Sequence, residues 1–428
     1  MKFDNLFELR RGGKARLRRL PSIMDCMSIE CIFDWESGRA GRIASRAGRQ
    51  VWVAVTLVVA FAFPCTAAGQ RIIYESRQGV EVPRDFGCIH HVGLEVCWPC
   101  LNGNNLYFGP DPDFNARINA VRLYGMGGLE WGNSTETAPG DYNWSRWDSA
   151  FAKFRRIGVK SVIYTIYNPP PFYTRHPHDY GGWRGQLPNS QGALDRWLTA
   201  ITARYPEIKI VEVANEVFGP SIGDAFWIGT EQELATLADW VLDWRRKTGW
   251  QGKIWSPSIP GVLGNVRPFL AWLAAYPRTS EFDAIPAHFY HLTAERLGEP
   301  SSAATGWTAF LELRDGLRAA GIDKPIVDGE KGFDPGPVDA ATIFNYGVKA
   351  AVMGIQQVCY FHWGSYGNDE TNLGQPFRNS DVKQAFEDLS ALAGKRITRV
   401  TEPSPGGRWI VTVSDGTRAG SKSGDAGR

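Results

Sequence analysis

The chain has 428 residues, and 43% of them are apolar, which is enough for a large hydrophobic core and argues against a disordered protein. The formal net charge is only +2. Residues 1–50 hold 11 Lys and Arg against six Asp and Glu, which leaves the rest of the chain at −3. A weakly acidic body argues against nucleic acid as a partner, because the phosphate backbone is bound by clustered positive charge.

A basic flank, an apolar run and small residues follow one another near the N-terminus. Four arginines at 39–49 precede the apolar run 51–63, and small residues occupy 66–69. This order is typical of a secretory signal. Residues 51–68 could instead remain as a membrane anchor with the basic side in the cytoplasm, or form a buried core helix. We expect a basic, poorly ordered leader at 1–50, a signal peptide or anchor at 51–69, and an exported protein, either periplasmic or extracellular, free or anchored to the inner membrane.

Four of the seven cysteines lie beyond the predicted signal: Cys88, Cys97, Cys100 and Cys359. The spacing Cys97-Trp98-Pro99-Cys100 is that of a redox pair, but the surrounding sequence lacks a thioredoxin-like βαβ pattern. An exported chain can hold disulfides. A local loop disulfide or two free thiols is therefore the favoured interpretation of this motif.

Short apolar runs alternate with helical patterns from residue 85 onward. Eight runs are predicted to be strands: 86–90, 120–124, 161–166, 209–214, 253–256, 282–288, 325–328 and 356–361. Repeated βα units indicate a parallel sheet. Eight of them predict an α/β protein with a (β/α)₈ TIM barrel over residues 83–395, and an open doubly wound sheet is the alternative. No glycine-rich fingerprint follows the first strand, so no nucleotide cofactor is expected.

Amphipathic segments separate the predicted strands. In the clearest one, four apolar residues recur at helical spacing between Trp147 and Ile157, with Ser145 as the predicted N-cap and Gly158 as the stop. After residue 392 the helical pattern ends. Residues 396–400 and 408–413 predict a short C-terminal β-hairpin appendage within 396–415, and a flexible tail follows at 416–428.

Two glutamates stand at the ends of apolar strands, in Ile210-Val211-Glu212-Val213-Ala214-Asn215-Glu216 and in Pro325-Ile326-Val327-Asp328-Gly329-Glu330. The runs are the fourth and the seventh of the eight predicted strands. In a barrel these strands lie opposite each other, and catalytic groups sit at the carboxyl ends of barrel strands. Two carboxyl groups that face one cavity are the minimal equipment for cleaving a glycosidic bond.

The sequence resembles the clan A glycoside hydrolases over about residues 83–395. In that clan the fourth strand ends in Asn-Glu, here Asn215-Glu216, and the seventh carries a second Glu, here Glu330. The segment Tyr142-Asn143-Trp144-Ser145, followed by Trp147-Asp148 and the helix to Gly158, is most similar to family 39, the β-xylosidase and iduronidase type, and to related exopolysaccharide hydrolases. Phe86-Gly87 at the first strand agrees with this similarity.

The resemblance implies a retaining mechanism with separate roles for the two carboxyl groups. Glu216 would be the general acid/base, protonated in the resting enzyme, and Glu330 would be the nucleophile. Asn215 would hydrogen-bond the 2-hydroxyl of the sugar. Carboxyl groups roughly 5–5.5 Å apart permit direct attack on the anomeric carbon.

Residues at other strand ends fit the same site. Arg122 could donate to the nucleophile carboxylate and keep it ionised. His288 and Tyr290 alternate after the sixth strand, and the clan commonly has a tyrosine near the nucleophile. Trp363 matches the clan's tryptophan platform for the sugar, and His91 follows the first strand, where related enzymes often bind the terminal sugar. Each of these residues has an ordinary structural interpretation as well, as a core side chain or a peripheral ion pair.

Two further observations bear on the site. Asp328-Gly329 departs from the clan, which more often has a hydroxyl or an apolar residue before the nucleophile. Asp328 could lie near the pocket and oppose ionisation of the nucleophile.

His176 and His178 lack a third ligand of matching spacing, so no metal is expected.

The leading interpretation is an exported retaining glycosidase that acts on an oligosaccharide or polysaccharide without a cofactor. One alternative is a catalytically weak barrel that binds polysaccharide in an export or attachment assembly. Another is a transglycosidase that uses the same site and transfers the sugar to a second sugar instead of water.

Overall fold

The computed structural model describes residues 71–84, 86–91, 119–123, 129–132, 135–167, 169–175, 185–218, 226–261, 263–289, 307–331, 339–361, 380–404 and 407–415. All of these belong to one structural unit, Pro64–Arg428. The predicted leader and signal, the Cys97–Cys100 motif, the flexible tail, Tyr290 and Trp363 lie outside the described residues, as do His176 and His178.

Strands and helices alternate along the described ranges. The strands are β1 (Arg71–Glu81), β2 (Cys88–His91), β3 (Ala120–Leu123), β4 (Glu136–Ala138), β5 (Asp141–Tyr142), β6 (Ser161–Thr165), β7 (Gly185–Gln186), β8 (Ile208–Glu212), β9 (Trp227–Ile228), β10 (Lys253–Trp255), β11 (Ile259–Pro260), β12 (Ile285–His288), β13 (Ile326–Lys331), β14 (Ile355–Phe361), β15 (Lys395–Glu402) and β16 (Ile410–Asp415). The helices are α1 (Ser145–Ile157), α2 (Gln191–Arg204), α3 (Glu231–Thr248), α4 (Leu263–Ala275), α5 (Trp307–Ala319), α6 (Ala340–Met353) and α7 (Ser380–Ser390).

Nine strands form one parallel sheet in the order β10-β8-β6-β3-β2-β14-β13-β12-β11. Each of the eight predicted strands overlaps one of these, and helices α1 to α6 connect successive strands from β3 to β14. The predicted α/β class with a parallel sheet is therefore confirmed. Parallel strands are buried on both faces and read as continuous apolar runs, which is why the sequence located them.

Hydrogen bonds also connect β10, at one end of this order, with the segment that leads into β12. Trp255 forms a parallel bridge with Ala284. The Ser256 amide donates to the Ala284 carbonyl at 3.0 Å, and the Asp283 amide donates to the Ile254 carbonyl at 2.7 Å. Backbone hydrogen bonds thus join the end of β10 to the two residues just before β12. Strand β11 then pairs with β12 itself.

One face of the parallel sheet carries a small apolar cluster with polar side chains further along the strands. The apolar cluster consists of Ala120, Ile163, Ile210, Trp255, Ala284, Val327 and Cys359. Because side chains on one face recur at every second residue, the next position along three of these strands belongs to Arg122, Thr165 and Glu212. The opposite face packs against the helices in the main hydrophobic core. The carboxyl ends of the strands therefore carry a layer of polar side chains, here called the polar layer, which lies next to the apolar cluster.

Helix α1 illustrates how the termini are formed. Gly158 ends it in the left-handed conformation with φ of +84°, and the Gly158 amide donates to Arg155. The N-cap prediction was wrong by one residue: Trp144 is the N-cap, and Ser145 is the first helical residue, with its amide bonded to Asn143 Oδ1 at 3.2 Å. Among the described residues, no helix is both long and apolar enough to cross a membrane.

The predicted C-terminal hairpin is one part of a larger sheet. β15 and β16 pair antiparallel as expected, but β1 pairs with the other edge of β15 and completes a three-stranded sheet. A third strand supplies ladder bonds that an isolated two-stranded ribbon would lack. The sheet is attached to α6 through Asn345, whose side chain accepts from the Trp409 amide at 2.8 Å and donates to the Gly407 carbonyl at 3.0 Å.

Candidate active site

Arg122 is the centre of the polar layer at the carboxyl ends of the strands. Its guanidinium is completely buried and forms a bidentate pair with Glu212, with Nε 2.6 Å from Oε2 and Nη2 2.8 Å from Oε1. Thr165 Oγ1 donates to the same Glu212 carboxylate at 2.8 Å. This planar pair joins β3, β6 and β8 beneath the site, and fork geometry of this kind suits arginine rather than lysine.

The remaining donors of Arg122 reach two predicted site residues. Nη2 donates to Asn215 Oδ1 at 2.7 Å, and Nη1 donates to Glu330 Oε2 at 3.2 Å. Because the carbonyl oxygen of Asn215 accepts from Arg122, its amide nitrogen is oriented to donate elsewhere. One buried cation therefore ties together the ends of the predicted second, fourth and seventh strands.

His288 lies between the two glutamates that the sequence singled out. Its Nδ1 is 2.7 Å from Glu216 Oε1 and 3.6 Å from Glu330 Oε2. These two carboxylate oxygens can therefore be separated by no more than 6.3 Å, the sum of the two distances. The His288 side chain is fully buried, whereas those of Glu216 and Glu330 are 12% and 9% exposed. Both carboxyl groups are therefore largely buried, and both lie next to the same imidazole.

Charge pairing overrides burial for three groups in this layer. Burial disfavours the charged form of Glu212, but the charge and hydrogen bonds of Arg122 hold the pKa of Glu212 below its ordinary value. Burial opposes the charge of Arg122 as well, and Glu212 together with Glu330 raises the pKa of Arg122 above its ordinary value. For His288, burial lowers the pKa, but Glu330 and Glu216 outweigh it and raise the pKa above 6.5. The contacts within the polar layer therefore favour the charged forms of Glu212, Arg122 and His288.

Glu216 has an unusual backbone conformation. Its φ is +45°, and among the described residues it is the only non-glycine with positive φ. This left-handed region is sparsely populated by residues with a Cβ. The residue follows the end of β8, where the chain turns at Asn215, and its amide donates to Ser258 Oγ at 3.1 Å. The turn aims the Glu216 side chain back toward His288.

A β-bulge sets the direction of Glu330. Asp328 and Lys331 of β13 are register partners of Val358 and Tyr360, so β13 contains one extra residue there. Asp328 and Lys331 consequently face the helix side, where Asp328 Oδ2 accepts from Tyr346 Oη at 2.6 Å and Lys331 Nζ lies 4.7 Å from the Tyr346 ring. Glu330 faces the opposite side, toward Arg122.

Asp328 was expected near the pocket, but Val327 before it belongs to the inner-face apolar cluster, so Asp328 faces the helices. Its other oxygen accepts from the Phe289 amide at 3.1 Å, and Lys331 Nζ donates to the Phe289 carbonyl at 3.2 Å. Burial raises the pKa of Asp328, while Lys331 and the hydrogen bonds oppose that shift. Asp328 and Lys331 therefore hold both backbone polar groups of the residue that follows His288.

Gly329 provides room for the His288 ring. A Cβ at this position would lie 3.1 Å from His288 Nε2 and 3.3 Å from His288 Cδ2. Such contacts are tighter than ordinary van der Waals packing, and the buried, hydrogen-bonded ring has little freedom to retreat. The close approach of the His288 ring thus explains why position 329 is a glycine, the residue that departs from the clan pattern.

The structure brings together five of the eight predicted site residues: Glu216, Glu330, Asn215, Arg122 and His288. For His91 only the backbone is described, at the end of β2 in register with Leu123. Tyr290 and Trp363 lie outside the described residues, so their predicted roles stay predictions. Within the described ranges, no group of three or more His, Cys, Asp or Glu residues could hold a metal ion.

Sequence reasoning missed Glu212 and Ser258. Glu212 lies within an apolar run, and a charged residue at a buried strand position indicates a buried partner. Ser258 lies in the segment between β10 and β11 and is completely buried. Nothing in its local sequence indicates contact with the turn at Glu216, which is 42 residues away.

No family model matches the chain, and no curated protein matches it. Solved structures that are similar include a glucosidase from Croceicoccus marinus, with 12% identity over 81% of this chain and 71% of the other and a TM-score of 0.48. An endo-β-1,4-glucanase from Xanthomonas axonopodis pv. citri has 17% identity over 71% and 99%, with a TM-score of 0.47. The catalytic domain of family 30 xylanase C from Talaromyces cellulolyticus has 12% identity over 78% and 84%, with a TM-score of 0.48.

Proposed function

We propose that the chain is a retaining glycoside hydrolase with a (β/α)₈ barrel, and that Glu216 and Glu330 carry the reaction. The backbone bonds between β10 and the segment before β12 support closure of the sheet into a barrel. The family 39 assignment and export through residues 51–69 remain proposals from the sequence alone.

The position of His288 between the two carboxyl groups carries this proposal. An upper limit of 6.3 Å between Glu216 Oε1 and Glu330 Oε2 accommodates the roughly 5–5.5 Å separation of retaining enzymes. In inverting enzymes the carboxyl groups are about 6.5–9.5 Å apart, since a water molecule must fit between base and sugar. The 6.3 Å limit applies to one oxygen of each carboxyl group, so the retaining mechanism rests on the resemblance together with the shared contact to His288.

In the proposed first step, Glu330 attacks the anomeric carbon while Glu216 donates its proton to the leaving oxygen. The carbon–oxygen bond of the glycoside breaks, and a glycosyl ester forms on Glu330. Arg122, 3.2 Å from Glu330 Oε2, stabilises the ionised carboxylate before attack. Because Glu216 Oε1 bonds His288, its other oxygen would deliver the proton to the leaving group.

In the second step, Glu216 acts as the general base. It takes a proton from a water molecule that attacks the anomeric carbon of the glycosyl ester, and Glu330 leaves as a carboxylate. Asn215 would donate from its amide nitrogen to the 2-hydroxyl of the sugar, in the orientation set by Arg122. The configuration at the anomeric carbon is retained after the two displacements.

The proposal is tested with a panel of aryl glycosides that differ in sugar and anomeric configuration. Glu330→Gln should abolish turnover, and Glu216→Gln should lower it by about 10²–10⁴-fold. Azide should rescue Glu216→Gln by forming a glycosyl azide of retained configuration. The control Glu312→Gln removes a surface carboxylate, the partner of exposed Arg267, and should leave turnover unchanged.

Two results would contradict the proposal. Equal activity of the wild type and Glu330→Gln on every substrate would remove the enzymatic role of the site. A first-formed product of inverted configuration, observed by NMR, would reject the double displacement even if the enzyme is active.

A further inference from the structure

Glu216 needs an external contact to keep its backbone conformation. Its φ of +45° is one that side-chain-bearing residues rarely adopt, and strained conformations persist only where the surroundings hold them. The residue is also at the edge of the site rather than deep in it, since its side chain is partly exposed. Packing alone therefore gives limited restraint to its carboxyl group.

Ser258 supplies that contact through both its side chain and its backbone. Its Oγ accepts from the Glu216 amide at 3.1 Å and donates to the Ala214 carbonyl at 3.3 Å. Its amide donates to the Ala214 carbonyl at 2.8 Å, and its carbonyl accepts from the Val217 amide at 3.0 Å. The turn from Ala214 to Val217 is thus hydrogen-bonded at three of its four residues to one buried serine.

The Ser258 hydroxyl has a single proton, which the Ala214 carbonyl accepts. The oxygen of the same hydroxyl is therefore the acceptor that the Glu216 amide depends on. Since Ser258 is 0% exposed, water cannot take over its role without a rearrangement.

We infer that Ser258 is a positioning residue for the proton transfer by Glu216, an inference that rests on the proposed function. The hydroxyl fixes the Glu216 backbone, and the backbone aims the carboxyl group at the glycosidic oxygen. Ser258→Ala leaves the Glu216 amide without its acceptor and permits the turn to relax. A displacement of about 1 Å in a reacting group can cost 10²-fold in rate.

The test compares kcat/KM for two aryl glycosides of the same sugar. Departure of 2,4-dinitrophenolate needs little protonation, whereas departure of phenolate needs a well-placed acid. For Ser258→Ala we expect about a 10²-fold loss with the phenyl glycoside and less than about a 3-fold loss with the dinitrophenyl glycoside. Ser258→Thr keeps the hydroxyl and should retain more activity on the phenyl glycoside than Ser258→Ala.

Ser256→Ala is the matched control. Ser256 is equally buried and lies two residues away in the same segment, and its hydroxyl donates to the Pro257 carbonyl at 3.0 Å rather than to the turn at Glu216. It should show the same kcat/KM ratio for the two substrates as the wild type. If Ser258→Ala does not fold, as judged by circular dichroism, Ser258→Cys takes its place because a thiol bonds only weakly.

The outcomes separate this inference from the proposed function. Equal losses on the two substrates, or no loss on either, would overturn the role of Ser258 while the wild type remains an active glycosidase. A wild type that is inactive on every glycoside would instead reject the proposed function. A selective loss with the phenyl glycoside, restored in part by Ser258→Thr, would support the positioning role.

Discussion

Two arginine–glutamate pairs in this protein have the same Nε–O distance and opposite surroundings. Arg122 Nε lies 2.6 Å from Glu212 Oε2, with both side chains 0% exposed. Arg267 Nε lies 2.6 Å from Glu312 Oε1, with side-chain exposures of 83% and 25%. Replacement of each arginine by methionine removes the charge and keeps an apolar stem of similar length. The two variants therefore compare a buried bidentate pair with an exposed pair held by a single contact.

The expected costs follow from what each variant leaves behind. Arg122→Met leaves the carboxylate of Glu212 buried with only the hydroxyl of Thr165 and weaker contacts nearby, and removing one partner of a buried pair costs about 3–5 kcal/mol. Arg267→Met leaves Glu312 in contact with water, so we expect no measurable change in the free energy of unfolding. The variant Arg122→Met with Glu212→Gln should recover part of the loss, because the fully buried carboxylate of Glu212 is then replaced by a neutral amide, and only Glu330 has lost its bond from Arg122.

Urea denaturation followed by tryptophan fluorescence measures these differences at pH 7. A cost for Arg122→Met as small as that for Arg267→Met would refute the reasoning. The pH dependence gives a second check on the sign. The pKa of Glu212 is lowered in the folded protein, so its contribution is present above the ordinary value of 4.5 and is lost as pH falls through the folded pKa. The difference between wild type and Arg122→Met should shrink in that acidic range.

Three other substitutions test neighbouring contacts. Gly329→Ala places a Cβ 3.1 Å from His288 Nε2 and should cost about 1–3 kcal/mol and lower kcat, measured by urea denaturation and aryl glycoside turnover. Tyr346→Phe leaves Asp328 Oδ2 without its 2.6 Å donor and should cost about 1–3 kcal/mol in the same assay. The raised pKa of His288 contributes stability that is full below pH 6.5 and is lost as pH rises through the folded pKa. The melting temperature of the wild type should therefore fall over that pH range, and the melting temperature of His288→Gln should not show this fall.

The fold was largely predictable because its information is local. Buried parallel strands appear as apolar runs, and glycine after a helical pattern marks the end of a helix, as at Gly158. Strand β1 was not predicted. Its eleven residues are mostly exposed or half-buried, so no clean alternation of apolar and polar residues marks it. It forms because β15, more than 300 positions later in the sequence, offers a free edge.

The site was predictable only as far as residue types and strand ends allow. Arg122 was expected to contact the nucleophile carboxylate, and it does so at 3.2 Å, but its main partner is Glu212. That pairing depends on the register of β3, β6 and β8, which one sequence does not encode locally. The direction of Glu330 relative to Asp328 depends on a bulge in β13. A one-residue change of register moves a side chain to the other face, and the sequence does not mark where the extra residue stands.

Charge balance in the polar layer connects its geometry with the proposed reaction. The described groups that contact one another there are the carboxyl groups of Glu212, Glu216 and Glu330 and the cations of Arg122 and His288. If His288 is protonated and all three carboxyl groups are ionised, the layer carries one uncompensated negative charge in a mostly buried setting, which is costly.

One more proton makes the layer neutral, and its place determines the chemistry. Glu212 is held ionised by two bonds from Arg122, and Glu330 also receives a bond from Arg122. Glu216 alone of the three lacks a described contact with that guanidinium and bonds His288 instead. The proposed first step needs a proton on Glu216 and an ionised carboxylate at Glu330. The arrangement around Arg122 thus supplies a physical reason for the division of roles between two chemically identical side chains.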